Sequence, residues 1–136
     1  VSEFTKDLVV RLTDQGVGSF GTTLFTSSKA ILPNGKDAIL SIRATGGTAP
    51  LRTQNSVATP AYQRPSAQLT AHAPTAAASE SMARAAYNAL VGVRNITLNG
   101  TWYLDITPTQ EPFDVGLDAQ ERPQFAFNVT AVKRPS

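Results

Sequence analysis

Apolar side chains recur along this chain with two periods, and the changes of period divide it into elements. In residues 3–15, Phe4, Leu8 and Leu12 stand four apart with Val9 beside them, while Glu3, Lys6, Asp7, Arg11 and Asp14 fall elsewhere, the pattern of an amphipathic helix. Ser2 suits its N-cap, and Gly16 or Gly18 its end. Residues 22–26, with Leu24 and Phe25, predict a first short strand. Beyond the turn sequence Pro33-Asn34-Gly35-Lys36, residues 38–45 alternate, with Ala38, Leu40, Ile42 and Ala44 on one face and Ser41 and Arg43 on the other. Residues 67–72 alternate again, Ala67, Leu69 and Ala71 against Gln68, Thr70 and His72. The helical period then returns over residues 75–91, capped by Thr75 and stopped by Gly92. Its inward stripe is Ala78, Met82, Ala85, Ala86, Ala89 and Leu90, with Tyr87 at the edge and Glu80 four residues before Arg84 on the outside.

The last third is all strand in pattern. Residues 95–106 read as a hairpin turning at Asn99-Gly100, a pair that tolerates the positive φ angles of a type I′ turn. Such a turn sets Leu98 opposite Thr101 and Ile96 opposite Tyr103 on one surface, leaving Trp102, Leu104 and Ile106 on the other. Both surfaces are apolar, so each needs a cover, one of which could be a neighbouring subunit. The final strand alternates Phe125, Phe127, Val129 and Ala131 with Gln124, Asn128 and Thr130.

Two connections are long. Residues 46–65 hold Gly46, Gly47, three prolines, Arg52 and Arg64 with few large apolar groups, a long polar loop that is either a surface excursion or an arm that orders against a partner. Residues 108–123 are rich in proline and acid, yet Phe113, Val115 and Leu117 are anchors a solvated linker would lack, so a structured loop is expected. The whole predicts an α+β fold, a mostly antiparallel sheet packed against two helices, in one domain spanning 1–136.

Composition narrows the chemistry. The 136 residues contain no cysteine, which excludes a disulfide scaffold, a thiolate nucleophile and cysteine-bound metal. A formal net charge of +2 with basic residues scattered singly lacks the footprint of a general nucleic-acid binder. No run approaches the length of a membrane span, and charges at residues 3, 6, 7 and 11 break any signal-peptide pattern. Three Asn-x-Thr tripeptides, at Asn95, Asn99 and Asn128, are expected by chance in threonine-rich strands. His72, the one histidine, is read as a solvated strand residue because no nucleophile or orienting partner accompanies it. Glu111, Asp114, Asp118 and Glu121 lack the spacing of a calcium loop, and pairing with Arg122 or with a neighbour's arginine explains them more simply than a divalent cation. No catalytic, cofactor or metal motif is found, and an enzyme is not expected.

Tyr62-Gln-Arg-Pro65, the helix ending Ala86-Tyr-Asn-Ala-Leu-Val91, Asn99-Gly100-Thr101, and above all Gln110-Glu-Pro-Phe-Asp-Val-Gly-Leu-Asp118 with Arg122-Pro and Phe127-Asn-Val129 resemble the minor capsid or tail-terminator proteins of long-tailed bacteriophages. The similarity runs from about Phe4 to Val132, and its most specific part is the Glu-Pro-Phe-Asp-x-Gly-x-Asp segment. It implies a virion structural protein of the neck, at the head-proximal end of the tail, whose hexameric ring caps the tail tube, meets a head-side connector and lets DNA pass without sequence-specific binding. No cofactor is implied. On that reading the loop at 112–122 makes an inter-subunit or inter-ring contact, Asp114 and Asp118 meeting Arg52, Arg64 or Arg94, with Trp102, Glu111, Pro112, Phe113, Gly116 and Arg122 in the same interface. A head-closure or adaptor protein on the portal side is the alternative, and a small-ligand-binding or hydrolytic α+β domain, which would show a deep polar pocket in a monomer, is the second.

Overall fold

The computed structural model describes residues 4–18, 24–25, 38–45, 48–51, 62–117 and 121–133. The elements are α1 (Phe4–Asp14), β1 (Leu24–Phe25), β2 (Ile39–Ala44), β3 (Thr48–Leu51), β4 (Tyr62–Arg64), β5 (Ser66–His72), α2 (Ala76–Leu90), β6 (Val93–Leu98), β7 (Thr101–Pro108), β8 (Phe113–Leu117) and β9 (Pro123–Lys133). Among the described residues two helices pack on a largely antiparallel sheet, which makes the fold α+β, as the alternation predicts. The expected turn at residues 33–36 lies outside the described residues.

β9 is the spine of the sheet. One of its edges carries β5, from Ser66↔Thr130 to His72↔Gln124, and then β4 at Gln63↔Lys133. The other edge carries β7 against residues 129–133 and β8 against residues 123–126. β2 continues the sheet beyond β5, β1 lies parallel to β2, β3 lies outside β4, and β6 lies outside β7. Strands β3 and β4 correct the reading of 46–65 as loop throughout, while residues 46–47 and 52–61 lie outside the described set. Proline and glycine spacing hid them, because β3 contains Pro50, a residue suited to an edge.

The core lies between the helices and the face formed by Leu40, Ile42, Ala67, Leu69, Ala71, Phe127, Val129 and Ala131. Phe4, Leu8, Val9 and Leu12 of α1 enter it as their spacing predicts. Helix α2 is capped by the Thr75 hydroxyl, which accepts from the Ala78 amide at 3.1 Å. Its buried stripe is Ser79, Ala83, Ala86, Ala89 and Leu90, whereas Ala85 is exposed and Ala78 and Met82 are half-buried. The expected face is therefore rotated, and the reason is Ser79: its hydroxyl donates to the Ala71 carbonyl at 2.9 Å, so a polar side chain is satisfied inside.

Two further residues reverse their expected exposure. Asp7 is fully buried, accepting the Tyr103 hydroxyl proton on Oδ2, and Lys133 is buried close enough for its charge to interact with it. His72 is 5 % exposed rather than solvated, with Nε2 3.3 Å from the Ser41 hydroxyl.

The β6–β7 hairpin turns where expected, with Asn99 at φ 49° and Gly100 at φ 82° and Leu98 opposite Thr101. Below the turn both strands change phase. Asn95 has φ 50°, and β7 carries a bulge between Tyr103 and Asp105 against β9. Ile106 consequently joins Thr101 and Tyr103 in burial instead of sharing a face with Trp102 and Leu104. Trp102 Nε1 donates to Asn95 Oδ1 at 2.7 Å, fastening the kinked strand to its neighbour.

Candidate assembly surface

Segment 101–117 is nearly one strand laid along β9, interrupted at 109–112. Pro112 has no N–H to give, and the interruption is bridged by other groups. The Thr109 amide donates to the Asn128 carbonyl at 2.8 Å, and Gln110 Oε1 accepts the Asn128 amide at 3.3 Å. Arg84 reaches from α2 to Glu111 at 2.8 Å and also lies 5.6 Å from the Tyr87 ring centroid, so the helix and the interruption are tied together.

Residues 113–117 form a strand, where a structured loop was expected. β8 alternates Phe113, Val115 and Leu117 with Asp114 and Gly116, and proline and acid on either side obscured that period. A bulge falls between Asp114 and Gly116, where Gly116 takes φ 90° and its amide donates to Asp114 Oδ1 at 2.8 Å. All five residues are exposed, with Phe113 at 38 %, Val115 at 40 % and Leu117 at 63 %. β6 stops pairing at Val93↔Ile106, so among the described residues no strand flanks the outer edge of β8. A strand with three large apolar groups in water and one open edge is a template for another chain.

Of the residues expected at a subunit contact, Glu111, Phe113, Asp114 and Gly116 lie together on this exposed run, with half-buried Pro112 among them. Arg94 is exposed and Trp102 half-buried on the β6–β7 hairpin, and Arg64 is half-buried on β4 across the sheet. Arg122 is 6 % exposed, inside its own subunit, following Glu121 at φ 60°. Arg52 and Asp118 lie outside the described residues. Sequence reasoning left Val115 and Leu117 out of the contact set, although their alternation with Phe113 was the available signal.

Asp7, Tyr103 and Lys133 form a buried polar group in which one oxygen of the Asp7 carboxylate, Oδ1, makes no hydrogen bond. Burial first, and then the Asp7 hydrogen bond and charge, push the Tyr103 phenol far above its ordinary value. Burial lowers the Lys133 ammonium, and the Asp7 charge opposes that shift. Among the described residues no three His, Asp or Glu side chains gather as a metal site would need. No helix among them is long and apolar enough to cross a membrane.

The described residues thus combine a buried apolar core with an exposed apolar edge strand, the kind of surface that favours association. Residues 11–134 match the family of bacteriophage tail terminator proteins, and the chain belongs to that family. A comparison with curated proteins found no match. Tail terminators are structural, non-enzymatic components of the phage tail that act with other parts of the virion.

Proposed function

We propose that this chain forms a hexameric ring at the head-proximal end of the tail, ending the tail tube and joining it to the head-side connector. The observation that carries the reading is β8, whose Phe113, Val115 and Leu117 remain exposed within one copy. Removing such surface from water yields ~25 cal/mol per Å², so subunits that cover it gain from association. Residues 112–122 then serve as the contact between subunits or between rings. The small net charge of +2 suits a channel through which DNA slides, because each phosphate contact would add affinity and slow passage.

Imaging phage particles labelled on this protein tests the placement. Label confined to the junction of head and tail is the expected result, and label along the tail shaft or at its distal tip would refute it. Purified protein added to tails lacking it should appear end-on as a six-fold ring. A phage carrying Phe113→Ala and Asp118→Ala should yield fewer joined particles; unchanged yield would remove this segment from the contact.

A further inference from the structure

The β6–β7 turn places two groups together that can react with each other. Asn99 and Gly100 are both exposed, at φ 49° and 82°, and no atom lies within 4 Å of the place a Cβ would take on Gly100. Among the described residues no hydrogen bond holds the Asn99 side chain, and the Gly100 amide donates to no backbone carbonyl. A side-chain carboxamide and the nitrogen of the next residue are therefore adjacent, solvated and unengaged, with no side chain on the glycine to crowd their approach.

The other described asparagines are held. Asn88 lies in α2, where the following amide, that of Ala89, belongs to the helix ladder. Asn95 Oδ1 accepts from Trp102, and the next residue is β-branched Ile96. Asn128 lies within β9 and is followed by β-branched Val129. Asn34-Gly35, a second pair of the same type, lies outside the described residues.

We propose that Asn99 is a site of spontaneous deamidation, with water as the co-reactant. The Gly100 nitrogen gives its proton to a base and bonds to Asn99 Cγ. The Cγ–Nδ2 bond breaks and ammonia leaves, closing a succinimide ring. Water then opens the ring: cleavage of the new bond at Cγ yields aspartate, and cleavage of the original peptide bond yields isoaspartate, whose main chain runs through Cβ and Cγ and is longer by a carbon. The two products differ in what they do to the fold. Asp-Gly suits the same type I′ turn. The longer isoaspartyl chain displaces the pairing of Leu98 with Thr101, and these residues flank the turn and are both buried. Ageing of this turn thus divides the subunits into those that keep the hairpin register and those that lose it.

The full-length folded protein, incubated at mildly alkaline pH and then mapped by peptide mass spectrometry with chromatographic separation of the two isomers, tests the site. The expected result is a product at Asn99 several-fold above that at Asn88, Asn95 or Asn128, with the isoaspartyl fraction unfolding at lower urea than the aspartyl fraction. Asn99→Gly, which keeps a turn-forming Gly-Gly pair, should age without that loss, and Asn99→Asp should unfold at the midpoint of the unaged chain. Reaction at Asn99 no faster than at the other described asparagines would overturn the site. An isoaspartyl fraction with an unchanged urea midpoint would overturn its effect on the register.

Discussion

The Tyr103→Phe substitution removes one oxygen from the place where α1, β7 and β9 meet. Tyr103 and Asp7 are fully buried and Lys133 nearly so, which means that water cannot replace the lost donor. A hydrogen bond to a charged group contributes ~1.5–3 kcal/mol, and a buried carboxylate deprived of its donor lies towards the upper end. We expect a loss of about 2–3 kcal/mol, seen as a lower urea midpoint at unchanged slope. For a chain of this length that corresponds to roughly 6–12 °C in Tm. The pH dependence supplies a second readout. The folded-state pKa of Tyr103 is raised, so its contribution is fully present below about pH 10, where the unfolded phenol begins to ionise, and is lost above it at up to ~1.4 kcal/mol per pH unit. Lys133, with its pKa lowered, acts in the opposite direction as pH rises towards its unfolded value, and Lys133→Met separates the two. Stability of the unmodified protein should therefore fall more steeply above pH 10 than that of Tyr103→Phe. A loss below ~0.5 kcal/mol together with identical alkaline slopes would show that the Tyr103–Asp7 contact does not hold α1 to the sheet.

Ser79→Ala leaves the Ala71 carbonyl without its buried donor and should cost ~1–2 kcal/mol by urea unfolding. Gly100→Ala meets no atom within 4 Å, so its expected cost of ~1–2 kcal/mol is the left-handed backbone alone, and Gly100→Asn should recover part of it. Arg84→Ala breaks an ion pair whose side chains are 41 % and 71 % exposed, and stability should change by less than ~1 kcal/mol. Leu117→Gln should leave the unfolding midpoint of the single subunit within ~0.5 kcal/mol while weakening assembly in sedimentation, which separates folding from association.

The architecture was legible wherever one local rule acted alone. Phe4, Leu8 and Leu12 announced α1, Thr75 and Gly92 bounded α2, and Asn99-Gly100 fixed the hairpin register to the residue. The misreadings share a cause: a distant partner changed what a local pattern meant. Asp7 looks like a solvent-facing charge until Tyr103, 96 positions away, donates to it. Ser79 looks external until the Ala71 carbonyl faces it. The phase of Ile106 depends on a bulge against β9 that no hydrophobic period encodes. β8 was hidden because Gln110 completes the ladder through its side chain where Pro112 interrupts the strand. The resemblance to tail terminators, carried chiefly by residues 110–118, agrees with the family match over 11–134.

The contrast between the two ends of β9 ties the fold to its role. At Lys133 the spine is flanked on both edges, by β4 and β7, and a buried ammonium lies close enough to Asp7 for their charges to interact. At residues 123–126 the same spine supports β8, whose apolar groups stay exposed and whose outer side meets no strand among those described. An exposed edge of this kind is an aggregation hazard in a protein meant to stay single, and a bulge with flanking acid is how such a hazard is limited without being removed. Here the limiting devices act against self-pairing while the apolar surface is retained. That combination disfavours pairing of β8 with β8 of another copy while leaving its apolar side chains available to a surface of different chemistry.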